Sequence, residues 1–155
     1  MSDVVTADQI LAVLKWHHND ARQWLFIPEL RLGTGYGDKW EQRIDAFALN
    51  CYPSHGMKSI AYEIKVSRAD FLRELKQPEK RRGAMEVSNE FYFAAPPGMI
   101  TKEELPADCG LVETNGDGFR IAVFAPFRDR PSAQWRFVAS LARRIMASDA
   151  VQAGA

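Results

Sequence analysis

The sequence is poor in the residues that build disulfide frameworks and zinc sites. Its two cysteines, Cys51 and Cys109, stand far apart, and no Cys-x-x-Cys pair is present. Its three histidines are scattered, whereas a zinc site needs several His or Cys ligands at short spacing. These absences exclude zinc-binding modules and disulfide-rich secreted domains. Two reduced thiols in a cytosolic protein are the simpler interpretation.

Net charge and long apolar runs are also lacking. The 20 Lys and Arg residues balance the 20 Asp and Glu residues, so the overall charge gives no support to nucleic-acid binding, which a basic excess would favour. No apolar run approaches the roughly 20 residues that cross a bilayer. The first residues, MSDVVTADQ, lack the basic and apolar regions of a signal peptide. We therefore expect a cytoplasmic protein with no membrane contact.

The composition that is present is typical of one globular domain. The chain has 155 residues, of which 46% are hydrophobic and 26% are charged, and this is enough to build an ordinary core. We predict a single domain over residues 1–147. Residues 148–155 are small and predict a disordered tail.

Apolar periodicity predicts helices at both ends of the domain. The first runs from Thr6 to about Trp24, and the last from about Ser132 to Ala147. The stripe predicted to be buried in the last helix consists of Trp135, Val138, Leu141, Ala142 and Ile145. A shorter helix is predicted after Ser67, whose hydroxyl suits an N-cap, and a second short helix is predicted from Glu79 to about Val87.

Alternating apolar residues predict the strands between these helices. Residues 43–50 and 59–66 form two strands, joined by a turn that contains Pro53 and Gly56. Three further strands are predicted over residues 90–95, 111–114 and 119–124. Residues 26–32 predict only a short extended segment, because the residue before a proline is displaced from the helical region. The predicted order is α-β-β-α-β-β-β-α, an α/β fold with a mixed sheet flanked by helices.

The hairpin predicted within residues 43–66 brings two carboxylates and a lysine together. With its turn centred near Ser54, Asp45 lies directly opposite Glu63, and Lys65 follows on the same strand face, about 6.6 Å further on. Directly opposed Cβ atoms are about 4.5–5.5 Å apart, so two like charges there are unfavourable unless a positive charge lies between them. A hard divalent cation such as Mg²⁺ suits carboxylates, water and phosphate.

This trio could support phosphodiester hydrolysis. Lys65 could orient the attacking water or offset charge on phosphoryl oxygens, while a metal ion lowers the pKa of bound water and polarises the phosphate. A Glu-x-Lys tripeptide is weak evidence alone, because a second one, Glu74-Leu-Lys76, lies on a predicted helix and is expected to be a solvated ion pair. Asp45 on the neighbouring strand and the basic helix that follows strengthen the hypothesis.

The segments Arg43-Ile-Asp45-Ala and Tyr62-Glu63-Ile-Lys65-Val66 resemble the PD-(D/E)xK nuclease superfamily, which has the restriction-endonuclease-like fold. The run IKVSRADFLRELKQPEKRRGAMEVSNEFYFAAPPG, followed by LPADCGLVE, is similar to a small bacterial branch associated with DNA repair, the MmcB-like group. The resemblance covers about residues 29–124. Arg-Ile precedes the aspartate where the superfamily's name has a proline, a departure that is common in the superfamily.

This resemblance implies a deoxyribonuclease dependent on Mg²⁺ or Mn²⁺, acting in DNA repair or on phage or mobile DNA. Asp45 and Glu63 would be metal ligands together with the backbone carbonyl of Ile64, and Lys65 would be the catalytic lysine. Members often add a glutamate from the first helix or its neighbourhood, and Glu29 is the candidate here. A solvated strand carboxylate is the alternative interpretation of Glu29.

Basic residues follow the lysine at once and are candidates for contacting the DNA backbone: Arg68, Lys76, Lys80 and Arg81. Such side chains hold phosphates without reading the sequence. By the same resemblance, Lys80 falls where the family often carries a basic residue pointing at the site. A solvated helix face is the alternative for the whole group.

Three functions remain open at this point. The first is a nuclease, the second a nuclease-fold module that binds nucleic acid without catalysis, and the third a protein-interaction domain with an exposed Glu63–Lys65 pair. The presence of all three core residues favours the enzyme, because a binding module has no need of opposed carboxylates. The neutral charge favours a partner protein that supplies DNA affinity, and many members of this fold act as homodimers.

Overall fold

The computed structural model describes residues 4–32 and 42–154 of the chain. In these residues the α-helices are α1 (Ala7–His17), α2 (Arg68–Leu75), α3 (Arg82–Glu86) and α4 (Trp135–Ala153). The strands are β1 (Trp24–Leu32), β2 (Gln42–Asn50), β3 (Ser59–Ile64), β4 (Glu90–Ala95), β5 (Gly110–Glu113) and β6 (Arg120–Val123). None of these helices has the length and apolar character needed to cross a bilayer.

The six strands of the described residues form one mixed sheet in the order β1 to β6. Strands β1, β2 and β3 are antiparallel, β3, β4 and β5 are parallel, and β6 returns antiparallel to β5. The connection from β3 to β4 runs through α2 and α3, because a parallel pair needs a long crossover. The predicted α/β class, with a mixed sheet flanked by helices, is confirmed at this level.

The predicted order of elements lacks the first strand. Residues 24–32 form a nine-residue strand rather than the end of a helix and a short extended segment. Pro28 is compatible with this strand because β1 lies at the edge of the sheet, where a missing N–H is tolerated. The short helix α3 lies within residues 79–87, where a second short helix was predicted but was left out of the predicted order. The observed order is α-β-β-β-α-α-β-β-β-α.

Both terminal helices differ from their predicted bounds. Helix α1 ends at His17 rather than near Trp24. Asp20 ends the helical run, since its carboxylate accepts a hydrogen bond from Arg22 N and its carbonyl accepts one from Trp24 N, as in a local turn. Helix α4 continues to Ala153, so helix occupies most of the segment that was predicted to be a disordered tail.

The stripe of α4 that faces the sheet is not the predicted one. Leu141 packs against the core as expected, but Trp135 is 86% exposed. The rotation of the helix is fixed by Phe137, whose ring packs edge-on against Phe47 with the ring centroids 5.5 Å apart. The large apolar side chains that α4 leaves exposed are Trp135, Val138, Ile145, Met146 and Val151.

Helices cover both faces of the sheet. Helix α1 packs on one face, where Ile10 and Leu14 join the core with Tyr62 and Tyr92. Helices α2, α3 and α4 cover the opposite face, whose largest buried side chains are Phe47, Phe71, Phe91 and Phe93. The sheet is therefore the middle layer of three.

The β2–β3 hairpin has the predicted register. Phe47 pairs with Ala61 and Ala46 with Tyr62, so the turn is centred where the sequence indicated. The N-cap at Ser67 is confirmed as well, since its hydroxyl accepts a hydrogen bond from Asp70 N at 3.3 Å. The end of β3 and the start of α2 are thereby fixed relative to β2.

Candidate active site

Asp45 lies where the backbone pairing of β2 with β3 stops. The last paired residues are Ala46 and Tyr62, and beyond them Ile64 N donates a hydrogen bond to Asp45 Oδ2 at 2.9 Å. A side chain thus takes the place of a backbone acceptor in the sheet. This contact holds one carboxylate oxygen of Asp45 between the two strands and fixes the orientation of the other.

Glu63 and Lys65 form an ion pair beside Asp45. Lys65 Nζ donates to Glu63 Oε1 at 3.1 Å, and the two side chains are only 14% and 20% exposed, respectively. The backbone of Lys65 is held in turn, because its N–H donates to Ala94 O at 2.9 Å. The structure therefore brings together the three residues that the sequence predicted.

The pKa of Glu63 is raised from its ordinary value of 4.5 to about 7. Burial is the largest cause, and the negative charge of Asp45 is the next, while Lys65 opposes both. The ion pair with Lys65 therefore offsets only part of these two effects. Carboxyl groups with a pKa raised in this way are frequent at functional sites, and structural ion-pair networks shift pKa values as well.

A cleft of about 240 Å³ opens beside Asp45 and Lys65, and Glu63 is not among the residues that line it. Its walls include Asp45, Ile64 and Lys65, and Glu29 reaches it from β1. Glu29 is also exposed to solvent, so its two interpretations, a metal ligand and a solvated strand carboxylate, both stay open. Asp8, from the first turn of α1, lines the same cleft. Nothing in the sequence placed this helix end beside β3, so Asp8 was not predicted.

The backbone is irregular next to these carboxylates. Glu29 has a φ of 51°, in the left-handed region that a residue with a side chain rarely adopts. Ile27 and Leu30, three positions apart, pack in the same core cluster, so the side-chain alternation of β1 changes phase around Glu29. Such strain persists only where the surroundings impose it, and it clusters at functional sites.

The environment of Glu74 differs from the predicted one. It was expected to form a solvated pair with Lys76, but its side chain is buried under α2 with only 7% of the residue exposed. Its charge contributes to the raised pKa of Glu63. The helical period that places Glu74 one turn after the buried Phe71 was the available signal.

The predicted DNA-contacting residues divide into two groups. Lys76 and Lys80 are exposed. Arg68 is paired with Glu104 and also donates to Met99 O at 2.9 Å, so its charge is largely neutralised within the protein.

Arg81 has a structural role instead of the predicted contact with phosphate. Only 7% of the residue is exposed, and Nη1 donates to Glu74 O at 3.2 Å. Its guanidinium lies over the ring of Phe93, 5.7 Å from the centroid. Arg81 therefore joins α2 to the sheet, because one end of its guanidinium binds Glu74 of α2 and the same group lies over Phe93 of β4.

The donor set fits a hard divalent cation more closely than a soft one. The potential ligands among the side chains that line the cleft are the carboxylates of Asp8, Glu29, Asp45 and Asp70, and carboxylates suit Mg²⁺ or Mn²⁺. Among residues 4–32 and 42–154, no three His, Cys, Asp or Glu side chains are gathered tightly enough to hold an ion alone. A cation would therefore take Asp45, Glu63 and the Ile64 carbonyl with water completing its shell, as Mg²⁺ prefers.

Comparison with known proteins finds similarity at the level of the fold. No protein-family model and no curated protein matches the chain. A solved structure of a protein of unknown function from Silicibacter pomeroyi is similar, with a TM-score of 0.65 and 22% sequence identity over 97% of this chain and 90% of that chain. At this identity the likeness shows a shared fold.

Proposed function

We propose that the protein is a metal-dependent nuclease that hydrolyses DNA phosphodiester bonds with Asp45, Glu63 and Lys65. One observation carries the proposal: two carboxylates and a lysine meet at the end of the β2–β3 pairing, where burial and then the charge of Asp45 raise the pKa of Glu63 to about 7. Burying two neighbouring carboxylates costs free energy of folding. A protein that only binds nucleic acid, or whose site has no function, would gain nothing from that cost.

Each residue has a role that follows from its contacts. Asp45, held by Ile64 N, presents its second oxygen in a fixed direction, and Glu63 supplies the other carboxylate. A bound Mg²⁺ or Mn²⁺ would lower the pKa of a water ligand and polarise the phosphate. Lys65 would then leave its ion pair with Glu63 and bind the substrate instead. Its ammonium would offset charge on the phosphoryl oxygens or orient the attacking water.

The fold supports the same conclusion. A mixed sheet with two acidic residues on adjacent antiparallel strands, and a lysine two positions after the second, is the arrangement expected of a restriction-endonuclease-like fold of the PD-(D/E)xK kind. Glu29 and Asp8 line the same cleft, and their carboxylates would be available to accept a hydrogen bond from a water ligand of a bound cation.

DNA is the proposed substrate, in repair or in the processing of phage or mobile DNA, and the protein would work in the cytoplasm where that DNA lies. Lys76 and Lys80 are the exposed members of the predicted basic group and would hold backbone phosphates. Since 20 basic residues only balance 20 acidic ones, a homodimer or a partner protein would add to the affinity for DNA.

Cleavage of labelled DNA tests this proposal. Duplex, single-stranded and branched DNA, with a single-stranded RNA for comparison, are incubated with the protein in Mg²⁺, in Mn²⁺ and in EDTA. We expect cleavage of at least one DNA form in metal and none in EDTA. Asp45→Ala and Lys65→Ala should each lower the rate by about 10³-fold or more.

The matched controls are Asp20→Ala and Lys102→Ala, which remove the same charges at exposed positions away from the cleft. Both should cleave as the unaltered protein does. Binding to DNA with no cleavage of any form in either metal would instead favour the nuclease-fold binding module.

A further inference from the structure

The face of α4 that points away from the sheet is apolar at its centre. On the opposite side, Phe137 and Leu141 pack against the core, and Arg144 Nε donates a hydrogen bond to Pro28 O at 2.9 Å. An α-helix turns through about 100° per residue, so Met146, two positions after Arg144, lies about 200° from it around the helix axis. Met146 is accordingly 71% exposed. A large apolar side chain thus occupies the side of α4 that is furthest from the sheet.

The rest of this outward face is also apolar or small. Its residues besides Met146 are Trp135, Ala139, Ala142, Ala150 and Ala153. A surface helix ordinarily has polar and charged residues on the face that it turns to water. Every residue from 149 to 153 is exposed, on all sides of the helix, and these include the apolar Val151. The end of α4 therefore projects past the sheet, although a helix without packing partners is only marginally stable in water.

The charges of α4 are distributed unevenly along its axis. Arg136 and Arg143 lie in its first half and Asp149 in its second half, and its last turn contains no basic residue. The unpaired carbonyls at the end of a helix add a partial negative charge there. Neither Arg143 nor Asp149 has an ion-pair partner within the part of the chain that the structure describes. A second helix with the same distribution would attract α4 in an antiparallel orientation and repel it in a parallel one.

We propose that α4 is a homodimer interface, in which it packs antiparallel against α4 of a second copy with the two-fold axis at Met146. An isologous contact places each residue opposite the position equally far on the other side of the axis. Ala142 therefore lies opposite the partner's Ala150, where small side chains let two helices approach closely. Arg143 lies at the same level along the helix pair as the partner's Asp149. This inference does not rest on the proposed nuclease function.

The length of the shared contact sets the expected affinity. With the axis at Met146, residues 139–153 of the two helices overlap, and these 15 residues extend over about 22 Å. A contact between two helices of this length lies at the lower end of specific protein interfaces, so we expect a dissociation constant on the order of micromolar.

Sedimentation velocity over a range from about 1 µM to about 100 µM, which spans this dissociation constant, tests the proposal. The mass should rise from 17.5 kDa towards twice that value. Met146→Glu should weaken the dimer at least tenfold, roughly, because it brings two like charges together at the axis. Met146→Leu, which conserves volume and apolar character, is the matched control and should dimerise as the unaltered protein does.

Exchange of the two charges gives a readout that a loss of helix stability would not move. Arg143→Asp alone and Asp149→Arg alone should each weaken the dimer severalfold, because two attractions across the axis become repulsions. The double variant restores opposite charges at the same two levels and should regain the affinity of the unaltered protein.

A disulfide tests the position of the axis. In a Cys51→Ser background, which removes the exposed native thiol, Met146→Cys should form a covalent dimer on mild oxidation. At a two-fold axis between helices about 8–10 Å apart, the two Cα atoms come within the range that a disulfide spans. The control is Gln152→Cys, which is also exposed but lies far from its own copy across the axis, and it should remain largely monomeric.

A single species of 17.5 kDa at every concentration overturns the proposal. A dimer that Met146→Glu leaves unchanged, or equal cross-linking at positions 146 and 152, overturns it as well. Binding to anionic phospholipid vesicles that Met146→Glu abolishes, without any self-association, would assign this face to a membrane surface and likewise overturn the dimer.

Discussion

At the scale of one residue, Glu63 shows that the fold must bury a carboxylate next to a second one. Its carboxylate is largely buried beside Asp45, with Lys65 as its ion-pair partner. Burial alone would favour the neutral acid, whereas a bound cation would favour the ionised form. The folded protein therefore holds Glu63 in a state that is unfavourable without a ligand, and stability measurements can detect this.

Replacing Glu63 by glutamine should stabilise the protein at alkaline pH. Because the pKa is raised from 4.5 to about 7, the folded state holds the proton more tightly than the unfolded state between these values. Stability due to Glu63 is therefore complete below pH 4.5 and is lost as the pH rises to 7, by about 1.4 kcal/mol per pH unit.

Thermal unfolding at pH 5 and pH 8 measures this effect. The melting temperature of Glu63→Gln should exceed that of the unaltered protein by several degrees at pH 8, with a smaller difference at pH 5. Glu103→Gln, at an exposed position, is the matched control and should show no such dependence. A constant difference at both pH values would contradict the assigned environment of Glu63.

His18 should lower the stability of the folded protein as the pH falls, which is the opposite of the pH dependence expected for Glu63. Its ring is buried, Nε2 lies 2.8 Å from Tyr62 Oη, and burial lowers its pKa from 6.5 to about 3. The unfolded state therefore binds the proton more readily between these values. Stability due to His18 is complete above pH 6.5 and is lost as the pH falls, by about 1.4 kcal/mol per pH unit.

Urea unfolding between pH 7 and pH 4 checks this prediction. His18→Gln, which keeps a polar partner for Tyr62 but does not titrate, should lose less stability on acidification than the unaltered protein. The exposed His55 supplies the control, because His55→Gln should follow the unaltered protein. Parallel pH profiles for all three proteins would show that His18 is not held neutral.

At the scale of elements, the sequence predicts regular structure well where a simple period governs it. The β2–β3 hairpin has the predicted register because two alternating segments flank a turn with Pro53 and Gly56. Strand β1 was missed because Pro28 weakens a strand pattern, and only its edge position makes the proline acceptable. The rotation of α4 depends on the Phe137–Phe47 contact, which no local period encodes.

The left-handed backbone conformation at Glu29, within β1, should lower the free energy of unfolding by a measurable amount. A residue with a side chain in the left-handed region costs about 1–2 kcal/mol, whereas glycine adopts it freely. Because Glu29 has a φ of 51°, Glu29→Gly should be more stable than Glu29→Ala by about 1 kcal/mol. Both variants lack the carboxylate, so the comparison isolates the backbone.

Guanidinium unfolding of the two variants gives the comparison, and Arg31 supplies the control in the same strand. At an ordinary strand position, the glycine variant is the less stable one, so Arg31→Gly should be less stable than Arg31→Ala. The same order at Glu29 as at Arg31 would contradict the strained backbone at the cleft.

At the scale of the whole molecule, the site combines groups from separate elements. Asp45 comes from β2, Glu63 from β3, Glu29 from β1 and Asp8 from α1. The first two could be matched from the sequence because one hairpin joins them. Asp8 could not, since its position depends on how α1 packs on the sheet. The helical period could indicate that Glu74 is buried, but its place near Glu63 depends on how α2 packs on the opposite face.

Binding of Mn²⁺, measured by isothermal titration calorimetry at pH 7.5, tests most directly the central claim that Asp45 and Glu63 hold a divalent cation. We predict about one ion for each chain, and affinity lowered at least tenfold in Asp45→Asn, since one of two charged ligands is lost. Asp20→Asn, in an exposed turn, should bind as the unaltered protein does. Equal binding by Asp45→Asn, or none by the unaltered protein, would contradict the claim.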